Sequence, residues 1–312
     1  MQNQFLARVL EAAGNTGRAI AITWLFFFFL GGLPLILAIT WVAVTNPALV
    51  EAYLQDPSDL SKIPLDKLSL FVSLMLNFAI GMAGLWLSVK FVAKQRFFTI
   101  LTAHHSVRWG RIMAGMGVWL LLLAAYAGVQ FILSPVSFEH MPYEPNWWKW
   151  LIAAAILVPI QSAFEEMAVR GQLMQGIGKA IPDNPFVPWI MTSFVFALMH
   201  GMNSEIDAYG FMPMMLEYLF FGLFLGAFAL MDEGIELPIG IHIGNNLFSM
   251  FVVSYEGSSL NTPSFFKQVT LAPTNDLLGL VLMAFLAYLV FFGRRPHLLR
   301  RLFPEPPKQS QD

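Results

Sequence analysis

The sequence has no cysteine. That excludes disulfides, a thiol nucleophile and cysteine-ligated metal, and it leaves the redox compartment open. Charge is scarce as well: 12% of the 312 residues are charged, and the net charge is −2. A soluble domain carries about 25% charged residues, and a charge so near zero gives no footprint for nucleic acid or an acidic ligand. No HExxH or GxSxG motif occurs, which removes the common zinc-protease and serine-hydrolase signatures. There is no clear internal repeat and no second, polar domain. What fills the chain is apolar, at 57% of residues with 29 phenylalanines.

A membrane helix needs about 20 mostly apolar residues. Runs near 18–44, 67–93, 111–134, 147–172, 186–203, 211–231, 236–254 and 276–293 meet that description. The first is too long for a signal-peptide core and no small-residue cleavage site follows it, so it reads as an uncleaved anchor. Segment 1–17 reads as a short cytoplasmic surface helix or a frayed end, 18–293 as the transmembrane domain with a core at 150–250, and 294–312 as a basic, then disordered, tail. All but four of the 18 basic residues (Lys62, Lys67, Lys149 and Lys267) fall on one side of these spans. The positive-inside rule puts both termini in the cytoplasm, as an even number of spans requires. The expected fold is all-α: a polytopic bundle of about eight transmembrane helices. Trp147, Trp148 and Trp150 stand where an aromatic belt would anchor the fourth span.

Three polar clusters interrupt the apolar runs. "FEEMAVR" carries Glu165, Glu166 and Arg170, "FALMH" ends on His200, and "HIGNN" carries His242 and Asn246. On a helix Glu166 and Arg170 are i, i+4 neighbours in the favourable order for an ion pair, whereas Glu165 points about 100° away and must find its surroundings on other helices. If the fourth and fifth spans form a hairpin about the turn "IPDNP", Glu165 and His200 lie level. His242 and Asn246 project from one face, while Asn245 points about 100° aside. Gly222 and Gly226 form a GxxxG pattern for close helix contact. Asp232, Glu233 and Glu236 read as a solvated boundary. His104, His105, His140 and His297 read as solvated loop residues, with His104–His105 a weak option for metal. Any single His or Asn in such a helix is most often a hydrogen-bond partner of its neighbour, but ionisable groups inside a membrane default to a functional reading.

A carboxylate in an apolar setting is harder to ionise and serves as a base near neutral pH. An imidazole beside it can hold a water, and further imidazole and amide donors can meet a developing oxyanion. This is an inventory for amide hydrolysis by activated water. No cofactor is required by it, although a divalent metal such as zinc, held by Glu165, His200 and His242, stays open.

The motifs EExxxR, FxxxH and HxxxN, in this order within roughly 150–250, resemble the CPBP family, the CAAX-processing and bacteriocin-processing intramembrane proteases also called Abi. The resemblance implies a helical bundle with a catalytic cavity open to the cytoplasm. It implies that Glu165 with His242 activates the water, that His200 and Asn246 form the oxyanion site, and that Glu166 and Arg170 support them. The implied partners are a peptide or protein substrate and the lipid bilayer, with no nucleic acid, and the implied location is a bacterial inner membrane. A transporter, or a scaffold binding a peptide or partner, could use the same polar cavity.

Overall fold

The computed structural model of the chain describes residues 3–55, 63–258, 262–269 and 273–304. Every apolar run is helical: α1 Thr16–Thr45, α2 Lys67–Val92, α3 Trp109–Leu133, α4 Trp147–Ala180, α5 Phe186–Met199, α6 Phe211–Asp232, α7 Glu236–Phe251 and α8 Thr274–Phe292. Six of them are long and apolar enough to cross a bilayer. The other two, α5 and α7, have only 14 and 16 residues. At 1.5 Å per residue they reach about 21 and 24 Å, short of the roughly 30 Å hydrocarbon core. These two short helices end on or carry the two motif histidines.

Local chemistry sets several helix starts. Asn15 caps α1 by accepting from the Arg18 amide at 2.8 Å, and Asp66 caps α2 by accepting from the amides of Leu68 and Ser69 at 3.1 and 3.0 Å, each satisfying donors that the helix leaves unpaired. The segment before α1 is not frayed. Gln4–Ala7 is a turn of helix capped by Asn3, and Phe5, Leu6 and Val9 are buried at the base of the bundle.

Both ends of the described chain lie at one end of the bundle, the basic end. There Asn3 donates to the Leu230 carbonyl, Arg8 to the Ala103 carbonyl and Arg301 to the Met231 carbonyl. The acidic loop after α6 is part of this end and is not solvated as expected. Asp232 pairs with Arg111 at 2.5 Å and with Arg108 at 2.9 Å, Glu236 pairs with Arg108 at 2.7 Å, and Glu233 pairs with Arg301 at 3.3 Å. Glu236 is fully buried. The cations come from chain segments far away in sequence, which is why the loop looked merely polar. His104, His105, His140 and His297 are exposed.

The opposite end carries a feature the all-α expectation lacked, a three-stranded sheet of β1 Phe138–His140, β2 Val253–Tyr255 and β3 Phe266–Gln268 in the order β1-β3-β2. β3 runs antiparallel to β1 and parallel to β2. Strands of three residues have no alternation to detect. Of the three tryptophans expected in a belt, only Trp148 is exposed. Trp150 is buried against Phe71, and Trp147 donates to the Pro263 carbonyl at 3.1 Å. The tail expected to be disordered, apart from Pro304, lies outside the described residues, as do Lys62 and Lys308.

Two glycine pairs bring the motif-bearing helices together. Gly222 and Gly226 seat α6 on α5: a Cβ at Gly222 would meet the Ser193 carbonyl at 3.1 Å, and one at Gly226 the Trp189 ring at 2.7 Å. On α7, Gly240 and Gly244 lie against the Ile112 and Met116 carbonyls of α3. A helix turns about 100° per residue. With Gly240 and Gly244 facing α3, His242 is directed to the other side, toward α4. Gly240→Leu should lower the melting temperature in detergent, by about 1–3 kcal/mol or more of overpacking, and disturb His242 with it. An unchanged melting temperature would mean that the α3–α7 contact is looser than its geometry.

Candidate active site

Four of the expected site residues form one connected group. Glu165, Glu166 and Arg170 lie where α4 passes from α-helix into a π turn at Met167–Leu173, an irregularity frequent at functional sites. Glu166 and Arg170 are fully buried, and Glu165 and His242 nearly so. Arg170 Nη1 donates to Glu166 Oε1 at 2.8 Å, the pair the spacing predicted, and Nη2 donates to the Gly222 carbonyl at 3.3 Å. Its guanidinium also lies 4.2 Å from the centre of the Phe196 ring, a cation–π contact.

Glu166 has a second partner that sequence spacing could not reveal. His242 Nδ1 is 2.9 Å from the same Oε1. A carboxylate paired with Arg170 only accepts, so Nδ1 carries the hydrogen and donates. In the neutral imidazole, Nε2 is then bare. It faces Glu165 Oε2 at 3.4 Å, and that oxygen is buried with no hydrogen-bond partner among the described residues. A bare nitrogen and an unpaired carboxylate oxygen, both acceptors, flank one point. A water or a shared proton is the group that satisfies both.

His242 and Asn246 descend α7 at i, i+4, and Gln161 and Glu165 descend α4 at the same spacing. The helices meet as two rungs, Glu165 to His242 and Gln161 to Asn246. In the second rung Asn246 Nδ2 donates to Gln161 Oε1 at 2.9 Å. Gln161 was missed in the sequence, although an amide one turn before Glu165 in an apolar run was a visible signal. Asn245 does not stand aside as its angle suggested. Trp119 Nε1 donates to Asn245 Oδ1 at 3.2 Å, and Asn245 Nδ2 donates to Asn246 Oδ1 at 3.3 Å. This chain fixes the amide of Asn246 and leaves one of its two N–H groups unassigned.

His200 approaches from the end of α5 without bonding to Glu165. Its ring stacks on Tyr218 at 4.5 Å and lies 4.6 Å from Phe196. Phe196 in turn sits 6.0 Å from His242, so the two histidines flank one phenylalanine. His200 Nδ1 is 2.8 Å from the Phe196 carbonyl. A carbonyl only accepts, so the hydrogen lies on Nδ1 and Nε2 is bare in the neutral form. Among the described residues no three His, Asp or Glu side chains converge as a metal's ligands. The expected set of Glu165, His200 and His242 is not drawn together in this geometry.

A helical membrane protein with a buried carboxylate–imidazole centre is the class that fold and site define. A family model described as type II CAAX prenyl endopeptidase Rce1-like matches residues 144–248, the stretch that contains every residue of this centre. The uncharacterized protein YyaK of Bacillus subtilis (strain 168) is 30% identical over 258 residues, covering 78% of this chain and 82% of that protein. No solved structure matches. The chain belongs to the Rce1-like family of CPBP proteases, and it is an integral membrane protein of that protease family.

Proposed function

We propose that the chain is an intramembrane endopeptidase that hydrolyses a peptide bond with a water activated by Glu165 and His242. The observation that carries this reading is the 3.4 Å approach of His242 Nε2 to the unpaired Glu165 Oε2, with His242 held from behind by Glu166. Water bound between them would lose a proton to Glu165 as its oxygen attacks the carbonyl carbon. Glu165 would then hand that proton to the leaving amine. Asn246, one helical turn beyond His242, would donate its remaining N–H to the oxygen gaining negative charge. His200 can donate from Nε2 to the same oxygen only as the imidazolium; when neutral, its Nε2 accepts and would hold a water. The substrate in this reading is a peptide or protein segment presented at the membrane. The bias of basic residues to one end supports placing that end and both termini in the cytoplasm.

Purified protein in detergent should cleave a quenched peptide, and the Glu165→Ala variant should not. Equal activity of the two would remove Glu165 as the base, and none in either across a broad peptide library would favour the transporter or scaffold reading. Repeating the assay with a chelator separates metal-assisted attack from attack by the carboxylate and imidazole alone.

Asn246→Ala should lower kcat about 10²–10³-fold with little change in KM, the cost of one oxyanion donor. Asn246→Asp should be worse, because a carboxylate repels the oxyanion. Asn245→Ala and Gln161→Ala should each give a smaller loss, since they hold Asn246 without touching the substrate. Near-wild-type kcat per folded molecule for Asn246→Ala would remove it from the chemistry.

A further inference from the structure

At the basic end lies a cavity of about 780 Å³ that none of the candidate catalytic residues lines, within the range of small-molecule sites, about 300–1,000 Å³. Arg108 and Arg111 line it from the start of α3, and Arg294 and Arg295 from the end of α8, with Asp232 opposite. The first two arginines are fixed in place. Arg108 donates to both oxygens of Glu236 at 3.0 and 2.7 Å, Arg111 to both oxygens of Asp232 at 3.2 and 2.5 Å, and the Arg111 guanidinium lies 5.3 Å from the Phe291 ring centre. Arg294 and Arg295 are exposed and have no ion pair among the described residues. Four guanidinium groups against the carboxylates of Asp232 and Glu236 leave a surplus of two positive charges. The remaining wall is apolar, and Leu289 and Val290 on α8 are 46% and 62% exposed on the face a bilayer would cover.

A charged cavity with an apolar side at the membrane boundary fits a molecule that is anionic at one end and hydrocarbon at the other. We infer that this cavity binds the phosphate headgroup of an anionic glycerophospholipid, with its acyl chains lying along α8. Guanidinium groups bind phosphate through paired N–H donors, and basic pockets between membrane helices on the cytoplasmic side take such headgroups. The site bridges α3, the loop from α6 to α7, and α8. A bound lipid would therefore add a further tie between elements already joined by the ion pairs of Asp232 and Glu236 and by the contacts of Phe291 with Arg111 and Phe228.

The test is native mass spectrometry of the full chain released from detergent containing phosphatidylglycerol or phosphatidylcholine. Wild type should retain one phosphatidylglycerol and no phosphatidylcholine at matched concentration. Arg294→Gln with Arg295→Gln should weaken that retention about 30-fold, each arginine contributing on the order of fivefold. Both side chains are exposed, so the variant should melt as wild type does in lipid-free detergent. The control pair Lys90→Gln with Arg96→Gln, at the same end but outside the cavity, should retain the lipid. Equal retention of phosphatidylcholine, equal loss in the control pair, or unchanged retention in Arg294→Gln with Arg295→Gln would each overturn the inference. Displacement of the lipid by millimolar inorganic phosphate would show a site for free anions and overturn the lipid assignment.

Discussion

Replacing Glu165 by glutamine should lower turnover about 10²–10⁴-fold, the contribution of a general base, and leave the melting temperature nearly unchanged. The stability half of this expectation comes from the hydrogen inventory. His242 donates from Nδ1 to Glu166, so its neutral ring offers a bare Nε2 toward position 165, 3.4 Å from the carboxylate oxygen. A glutamine amide there can donate to that nitrogen, giving a direct hydrogen bond where the wild type has two facing acceptors. The variant is therefore satisfied without water, and its amide cannot take a proton. It loses the base and the bound nucleophile together. Glu165→Asp keeps the base but withdraws it by one methylene, and should retain an intermediate rate. The measurement is kcat per folded molecule for wild type, Gln and Asp, with melting curves alongside. A glutamine variant that turns over at the wild-type rate removes Glu165 as the base.

The site was legible in the sequence to the extent that its chemistry is local. Glu166 and Arg170 pair because four residues separate them on one helix, and the structure has that pair at 2.8 Å. His242 and Asn246 share a face for the same reason. The contact between His242 and Glu166 joins residues 76 apart, and no spacing rule reaches it. It depends on Gly240 and Gly244 pressing α7 onto α3, which turns the histidine toward α4. The fold followed a similar division. All eight apolar runs are helical, but only six of the helices are long enough to span, because α5 stops at Met199 and α7 at Phe251, short of the ends their apolar runs suggested. Asp232, Glu233 and Glu236 looked solvated because their arginines, Arg108, Arg111 and Arg301, come from other segments. The small sheet was unreadable, since its strands have three residues each and β1, from the α3–α4 connection, meets β2 and β3, from the α7–α8 connection, only in the folded chain.

Glu166 has a place in this arrangement beyond support. One oxygen accepts from both Arg170 and His242, so the ion pair that neutralises the arginine also chooses the tautomer of the histidine. Structure and chemistry share a single atom there, and substitutions that separate the two are informative.

Arg170→Ala should cost about 3–5 kcal/mol of stability, because it leaves the Glu166 charge buried without its cation. The arginine is fully buried, and alanine also gives up the hydrogen bond to the Gly222 carbonyl and the contact with Phe196. Arg170→Lys should recover only part of the loss: it restores the charge but not the planar group that bonds in two directions and stacks on a ring. Activity falls in both variants, and falling stability alone would explain it. The double variant Glu166→Leu with Arg170→Met resolves the ambiguity. Replacing a buried ion pair with apolar groups of similar volume is often neutral or stabilising, so this protein should melt close to wild type. Yet His242 Nδ1 then has no acceptor, the ring is free to turn or to move its hydrogen to Nε2, and the nitrogen facing Glu165 ceases to be reliably bare. Turnover should therefore stay low in a stably folded protein. Melting temperature and kcat per folded molecule, measured on the four proteins together, decide between the roles. If the apolar double variant recovers both, Glu166 and Arg170 serve folding alone. If it recovers stability without rate, the pair acts through His242.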